Sequence, residues 1–403
     1  MLHIAWRNVL RNRKRSAIIV AAIMFGLWGG LVASGVSFGF SYDTVSSALE
    51  SRLSQIQIHA PGYRENRTIG DTLRGAGQAV GMVAATEGVR AVTGRLVVEG
   101  MAASAETSTG VSLLGVDAPA ETTVTSIHSK LVDGSYELGG RRNRTVVGQD
   151  LAKRLGVRVG SKIVLTTQDV HGTIVGASYR VSGLFRTDSK TFDETTVFVD
   201  RRQLAALVGA GGALHELAVV VDDPAMIDSV AARLQARLPG ASVETWKELA
   251  PELDFINSYT EVYLEIFLAI IVLALLFGIT NTMLMSVLDR IREFGVLSAI
   301  GMRGRRVFVM ILLESLVLSL AGAILGMGTG WGTVVYLQSV GIDLGAFAEG
   351  MRQWGYSEVS HPVLPGWMFL EVLVAMMVAA LLGALYPAWK AIRLDPARAI
   401  QTY

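Results

Sequence analysis

The chain has 403 residues, 51% hydrophobic and 18% charged, with 43 glycines and a formal net charge of +1. Charge that sparse, against about 25% in ordinary soluble domains, excludes a soluble globular protein, and near-neutrality excludes a basic nucleic-acid binder. With no cysteine there is no disulfide framework, thiol nucleophile or cysteine metal site.

The first predicted element is a cationic amphipathic helix over residues 2–14, with Leu2, Ala5, Trp6, Val9 and Leu10 on one face and Arg7, Arg11 and Lys14 on others. It should lie in the inner headgroup layer. An uncharged run of 27 residues, Ser16 to Tyr42, follows and is long enough to cross about 30 Å of hydrocarbon. Its positive flank and Ala33-Ser34-Gly35 also fit a cleaved signal, but its length exceeds the usual apolar segment of about 7–15 residues. Gly26/Gly30 and Gly35/Gly39 stand at GxxxG spacing, which lets a neighbouring helix approach closely in lipid.

From Asp43 to Asn257 the composition turns soluble, with 22 basic and 25 acidic residues. Strand Gln55–His59, a helix over Asp71–Thr86 and strand Val92–Val98 recur in kind near the end as strand Leu217–Val221, helix Ala225–Leu238 and strand Ala241–Thr245. Two βαβ-like halves therefore flank an insert, about residues 101–214, that reads as strands Val111–Val116, Thr145–Val147, Ile163–Thr167, Tyr179–Phe185 and Thr196–Val199. A short helix, Asp150–Leu155, ends there at Gly156. From Pro251 a helix rises into the second span, either as one stiff lever or with a break near Asn257-Ser258.

Three more charge-free windows follow, Ile266–Leu288, Ser315–Ile342 and Val372–Trp389. The predicted order is cytoplasmic helix 1–15, span 16–42, external domain 43–257, span 258–288, cytoplasmic helix 289–306, span 307–338, external loop 339–364, span 365–389 and tail 390–403. Thirteen of the 36 Lys and Arg cluster in residues 1–15, 289–306 and the tail, whereas the loop Gln338–Leu364 has only Arg352. By the positive-inside rule both termini and the middle loop are cytoplasmic. The fold class is an α+β membrane protein, four transmembrane helices in a one-plus-three order with a large extracytoplasmic α+β domain.

Catalytic signatures are missing from the sequence. There is no GxxxxGK[ST] loop to cradle phosphates, no HExxH, no histidine pair at ligand spacing and no GxSxG. The chain is thus expected to be no enzyme itself and to bind no cofactor or metal. Carboxylates at the membrane edges stand out instead. Glu261, Glu265 and Glu371 fit headgroup level, while the deeper Glu314 invites contact with Arg305 or Arg306.

The stretch DRIREFGVLSAIGMRGRR, residues 289–306, puts Ile291, Phe294, Leu297, Ser298 and Gly301 on one side of a short helix between two spans. That is the form of a docking knob, small enough for a partner's groove and stiff enough to move both spans. Its core, REFGVLSAIGMR, resembles the coupling helix of FtsX-like, MacB-like permeases of ABC transporters, particularly their lipoprotein-releasing branch. The likeness extends in order through AWRNVLRNRKRS, QIQIHAPGY, GQDLAKRLGVRVGSKIVL, GIDLGAFAEGMRQWGY and YPAWKAIRLDPARAI.

The resemblance implies a dimeric permease, homodimer or heterodimer, working with two copies of a separate cytoplasmic ABC ATPase that carries the ATP and Mg. It implies mechanotransmission of ATPase closure to a periplasmic domain with porter-like halves, in a multi-pass protein of the bacterial inner membrane. Carried over by position, Arg292, Glu293, Phe294, Gly295, Leu297, Ser298, Ala299, Ile300 and Gly301 would seat in the ATPase, with Phe294 and Leu297 as apolar anchors. The closing helix, capped by Asp395 with Pro396 behind it, would line the same surface. Lipoproteins or lipid-linked cargo would enter from membrane lipid at a cleft including Phe25, Trp28, Phe38, Phe40, Tyr259, Tyr263 and Phe267, and leave to a periplasmic carrier. Export of a periplasmic small molecule or peptide, signalling to a cell-wall enzyme, or an ATPase-independent membrane receptor are the alternatives.

Overall fold

The computed structural model describes residues 13–300 and 302–393. The expected amphipathic helix at the start and the capped helix at the end lie outside them. Two compact units result, one of Tyr42–Asn257 with Leu344–Val359 and the other holding the rest.

Among the described residues, the helical unit is built on four helices long and apolar enough to cross a membrane. They are helix one, Arg13–Ala48; helix two, Pro251–Asp289; helix three, Gly304–Val340; and helix four, Gly366–Ile392. Helix two runs unbroken through Asn257-Ser258. Helix one outruns the apolar window that marked it, because hydropathy records where lipid contact stops and not where backbone hydrogen bonding stops. At 1.5 Å per residue, 36 and 39 residues give rods of about 54 and 58 Å, well past the hydrocarbon thickness.

Glycine sets how closely these helices approach. A Cβ on Gly26 or Gly30 would press on Leu275 or Ile271 of helix two, while Gly39 abuts the carbonyl of His361. A further seam was not apparent from the sequence. Gly322, Gly326 and Gly330 of helix three, one turn apart, receive Ile23, Leu27 and Leu31 of helix one. A Cβ on Gly326 would lie 2.9 Å from both Leu27 Cβ and the Met24 carbonyl oxygen, so backbone must move. Gly326→Leu is therefore expected to cost about 1–3 kcal/mol by overpacking. A lowered melting temperature of the purified protein in detergent checks this, with Gly328→Leu, whose Cβ meets nothing within 4 Å, as the control.

The second unit, here the head, joins two sheets through one strand. Strands β1 (Ile56–His59), β2 (Val89–Ala103), β9 (Glu216–Val221) and β10 (Ser242–Thr245) lie in the order β10-β1-β9-β2. This is a split βαβ arrangement, so the two halves read from the sequence interleave rather than stand side by side. β1 and β9 are buried along their whole length; helices Ala76–Ala84 and Ile227–Arg237 pack on the face that carries Ile56, Ile58, Leu217 and Val219, and Val124 packs on Ala218 and Val220 on the other face of β9. The first helix is shorter than the predicted Asp71–Thr86, since Gly75 turns left-handed at its start.

The remaining strands are β3 (Ser108–Val116), β4 (Leu131–Gly134), β5 (Arg144–Gly148), β6 (Lys162–Gln168), β7 (Ile174–Phe185) and β8 (Thr196–Asp200). Pairing runs β2-β3-β8-β5-β7-β6 and back to β2, which closes a six-stranded barrel and leaves no open edge in the ring. Alternation along β6 sends Ile163, Leu165 and Thr167 inward. The insert thus begins at Leu96 rather than near residue 101: Val89–Arg95 of β2 pairs β9, and Leu96–Ala103 pairs β3. The strand runs unbroken through the junction, so the sequence hides it. Arg95 sits at that junction, fully buried, its guanidinium on both oxygens of Glu121 (2.7 and 3.1 Å) and on Glu216 (2.6 Å).

Candidate functional site

Helix two ends at Asp289, Arg290 makes the turn, and a nine-residue helix, Ile291–Ala299, leads towards helix three. Its phase corrects the expectation that Phe294 is an outward anchor. Phe294 is only 4% exposed and belongs to the core of the helical unit with Val287, Val307, Met310 and Ile311; Gly295 beside it is also buried. An aromatic on this short helix does more by sealing the end of the bundle than by facing out. The outward stripe is Arg292, Glu293, Val296 at 50% exposure and Ile300 at 78%. The side chains of Leu297, Ser298 and Ala299, and Gly301 altogether, lie outside the described residues. The stripe had a legible signal in the i, i+4, i+8 spacing of Arg292, Val296 and Ile300, which the phase fitted to Phe294 obscured.

A buried ion pair locks this helix to the bundle. Arg290 Nη1 lies 3.2 Å from Glu314 Oε2 in helix three, and its Nε donates to Glu293 at 2.8 Å. The guanidinium also sits over the Phe294 ring, 5.4 Å from its centroid. The expected partners, Arg305 and Arg306, are displaced by an arginine that sequence distance made unpromising. The fold brings Arg290 beside helix three about ten residues into it, where Glu314 stands. The pair therefore ties the start of the short helix to helices two and three, and a desolvated pair resists separation.

The aromatic residues expected to line a cargo cleft are dispersed. Phe25, Tyr259 and Tyr263 are exposed, and Tyr263 stacks on Phe267 one turn along the same helix. Trp28 donates to Thr333 at 3.0 Å, and Phe38 packs edge-on against Trp367 of helix four. Phe40 is half-buried. A groove in the helical unit lies elsewhere, between helices two and four. It has a volume of about 380 Å³ and is lined by Leu268, Val272, Leu276 and Val378, with Glu265 of helix two and Glu371 of helix four also lining it. Neither carboxylate had been placed at a groove, since adjacency of two helices distant in sequence is not written in either.

Residues 16–237 match the MacB-like periplasmic core domain family, and residues 265–396 match the FtsX-like permease C-terminal family. An uncharacterized ABC transporter permease of Mycobacterium tuberculosis is 27% identical over 66% of this chain, which spans 30% of that relative. The uncharacterized ABC transporter permease YknZ of Bacillus subtilis is 25% identical over 67% of this chain and 64% of its own length. The lipoprotein-releasing system transmembrane protein LolC of Xylella fastidiosa is 23% identical, and there the alignment covers 97% of this chain and 96% of the relative.

Proposed function

The chain belongs to the FtsX-like permeases with a MacB-like periplasmic core domain, and on that premise we propose that it passes the work of a separate ABC ATPase to its head outside the cytoplasm. The observation that carries this reading is the two-sided helix Ile291–Ala299. Its inner face is fixed by Phe294 and the Arg290–Glu314 pair, and its outer face offers Val296 and Ile300 between Arg292 and Glu293. A surface so small and so rigidly backed receives a push without yielding. The four helices cross the inner membrane, both termini and this helix face the cytoplasm, and a second permease chain completes the dimer.

Release of lipoproteins or lipid-linked cargo is the reading we favour for the substrate, supported by the end-to-end alignment with the lipoprotein-releasing relative. Export of an amphiphilic small molecule or peptide is the second reading, favoured by the apolar groove with Glu265 and Glu371 in its wall. Native mass spectrometry of the purified complex separates the two by the mass of the bound guest.

The coupling claim is tested by Val296→Asp with Ile300→Asp. Both side chains are exposed, so the fold should stand while co-purification of the ATPase is lost. Retention of the ATPase at wild-type stoichiometry would remove this helix from the interface.

A further inference from the structure

The loop between helices three and four was expected to be a plain external connection, yet residues 344–359 belong to the head unit. They are held there by a charged cluster centred on Arg352, only 2% exposed at the end of the short helix Ala348–Gln353. Its Nη2 lies 2.8 Å from Asp150 Oδ2 and 2.7 Å from Asp193 Oδ2, and its Nε donates to the Thr187 carbonyl at 3.1 Å. Asp150 stands on helix Gln149–Leu155 and Asp193 on helix Lys190–Thr195, both attached to the barrel. Lys190 pairs with Glu349 at 2.6 Å, and Arg186 pairs with Glu358, so the loop is fastened at its middle and at both sides. Asp193 also accepts from the amide and hydroxyl of Thr187. The fit is close enough that a Cβ on Gly148 would lie 1.9 Å from the Asp193 carbonyl oxygen.

We propose that Arg352 is a positioning residue for transport, a clasp through which the loop between helices three and four holds and moves the barrel half of the head. This rests on the proposed coupling function and adds an attachment to the two made by helices one and two. An arginine between two carboxylates suits such a joint, because its charge-assisted hydrogen bonds are directional and stiff. The charged groups around it are Asp150 with its partner Lys153 on one helix, Asp193 and Lys190 on the other, Arg186 shortly before that second helix, and Glu349 and Glu358 on the loop itself. Burial pushes the Asp193 carboxyl up to about 6, against the pull of Thr187 and Arg352. Asp150 is also raised by burial, but Lys153 and Arg352 outweigh that and keep it below the ordinary range. Acidification therefore neutralises Asp193 first and leaves Arg352 on Asp150.

Hydrogen exchange of the full-length protein in nanodiscs tests the clasp without any partner. Arg352→Ala should raise exchange of the amides in residues 344–359 by about a hundredfold or more at pH 7.5, and Arg352→Lys should restore part of the protection. Because burial raises the Asp193 pKa above its solvated value, its ionised form is a cost to the closed clasp, so Asp193→Asn should exchange more slowly than wild type at pH 7.5 and match it at pH 5.0, where wild-type Asp193 is itself largely neutral. In the complex, Arg352→Ala should keep the ATPase bound and ATP turnover running while cargo release falls at least tenfold. Unchanged loop exchange in Arg352→Ala, an Asp193→Asn difference that persists at pH 5.0, or full cargo release with the clasp cut would each overturn the proposal. Loss of the ATPase from wild-type protein would instead strike the coupling function and leave the exchange result standing.

Discussion

Replacing Arg290 by alanine is expected to destabilise the helical unit by about 3–5 kcal/mol, because it takes the guanidinium away from the buried Glu314 carboxylate in a low-dielectric core. It also frees the Arg290 end of the short helix, so ATPase co-purification should fall with stability. The double variant Arg290→Met with Glu314→Met separates these effects. Replacing a buried ion pair by well-packed apolar side chains is often neutral, so thermal stability in detergent should largely recover. Coupling should not recover, since methionines pack but do not fix the direction of a tilt. An Arg290→Ala melting curve that overlays wild type would dismiss the pair as a structural lock. A double variant with full ATP-driven release would reduce it to packing.

The second large effect belongs to the head. Arg95→Met leaves Glu121 and Glu216 facing each other at the junction of the split βαβ sheet and the barrel, with an expected loss of about 3–5 kcal/mol at neutral pH. The pH dependence carries a definite sign. Burial raises Glu216, but Arg95 and His59 outweigh it and hold the carboxyl below its usual range in the native protein. A depressed native pKa gives stability that is present above the unfolded value and lost as pH falls through the folded one. Without Arg95 the burial effect prevails and the folded pKa rises above the unfolded value. The penalty is then full above the raised pKa and relieved as pH falls. Urea unfolding of the full-length variant at pH 7.5 and 5.0 should show the gap to wild type narrowing on acidification. A gap that widens would mean the carboxylates are not what Arg95 neutralises.

The locations of membrane helices and soluble segments were legible because both follow from local composition. Charge-free windows had to be apolar helices, and the run from Asp43 to Asn257 could not lie in lipid. Most head strands came within a few residues of their observed limits, as period-two alternation records a half-buried strand. Helix ends were less legible. The backbone of helix one continues through Ser41 and Thr44, polar residues that are buried rather than solvated. The phase of Ile291–Ala299 was misjudged for a related reason. Apolar residues lie around most of its circumference, and only neighbours decide which of them face inward.

By itself, then, the sequence determined the class of protein and the order of its spans, since hydropathy and charge are properties of single residues and short windows. The tertiary structure alone decided which distant charges meet: Arg290 with Glu314, Arg95 with Glu121 and Glu216, and Arg352 with Asp150 and Asp193. It alone decided that β2 serves two sheets and that the barrel closes. These are pairings across long stretches of chain, and a charge is indifferent to which opposite charge it meets until packing removes the water that would have served as well.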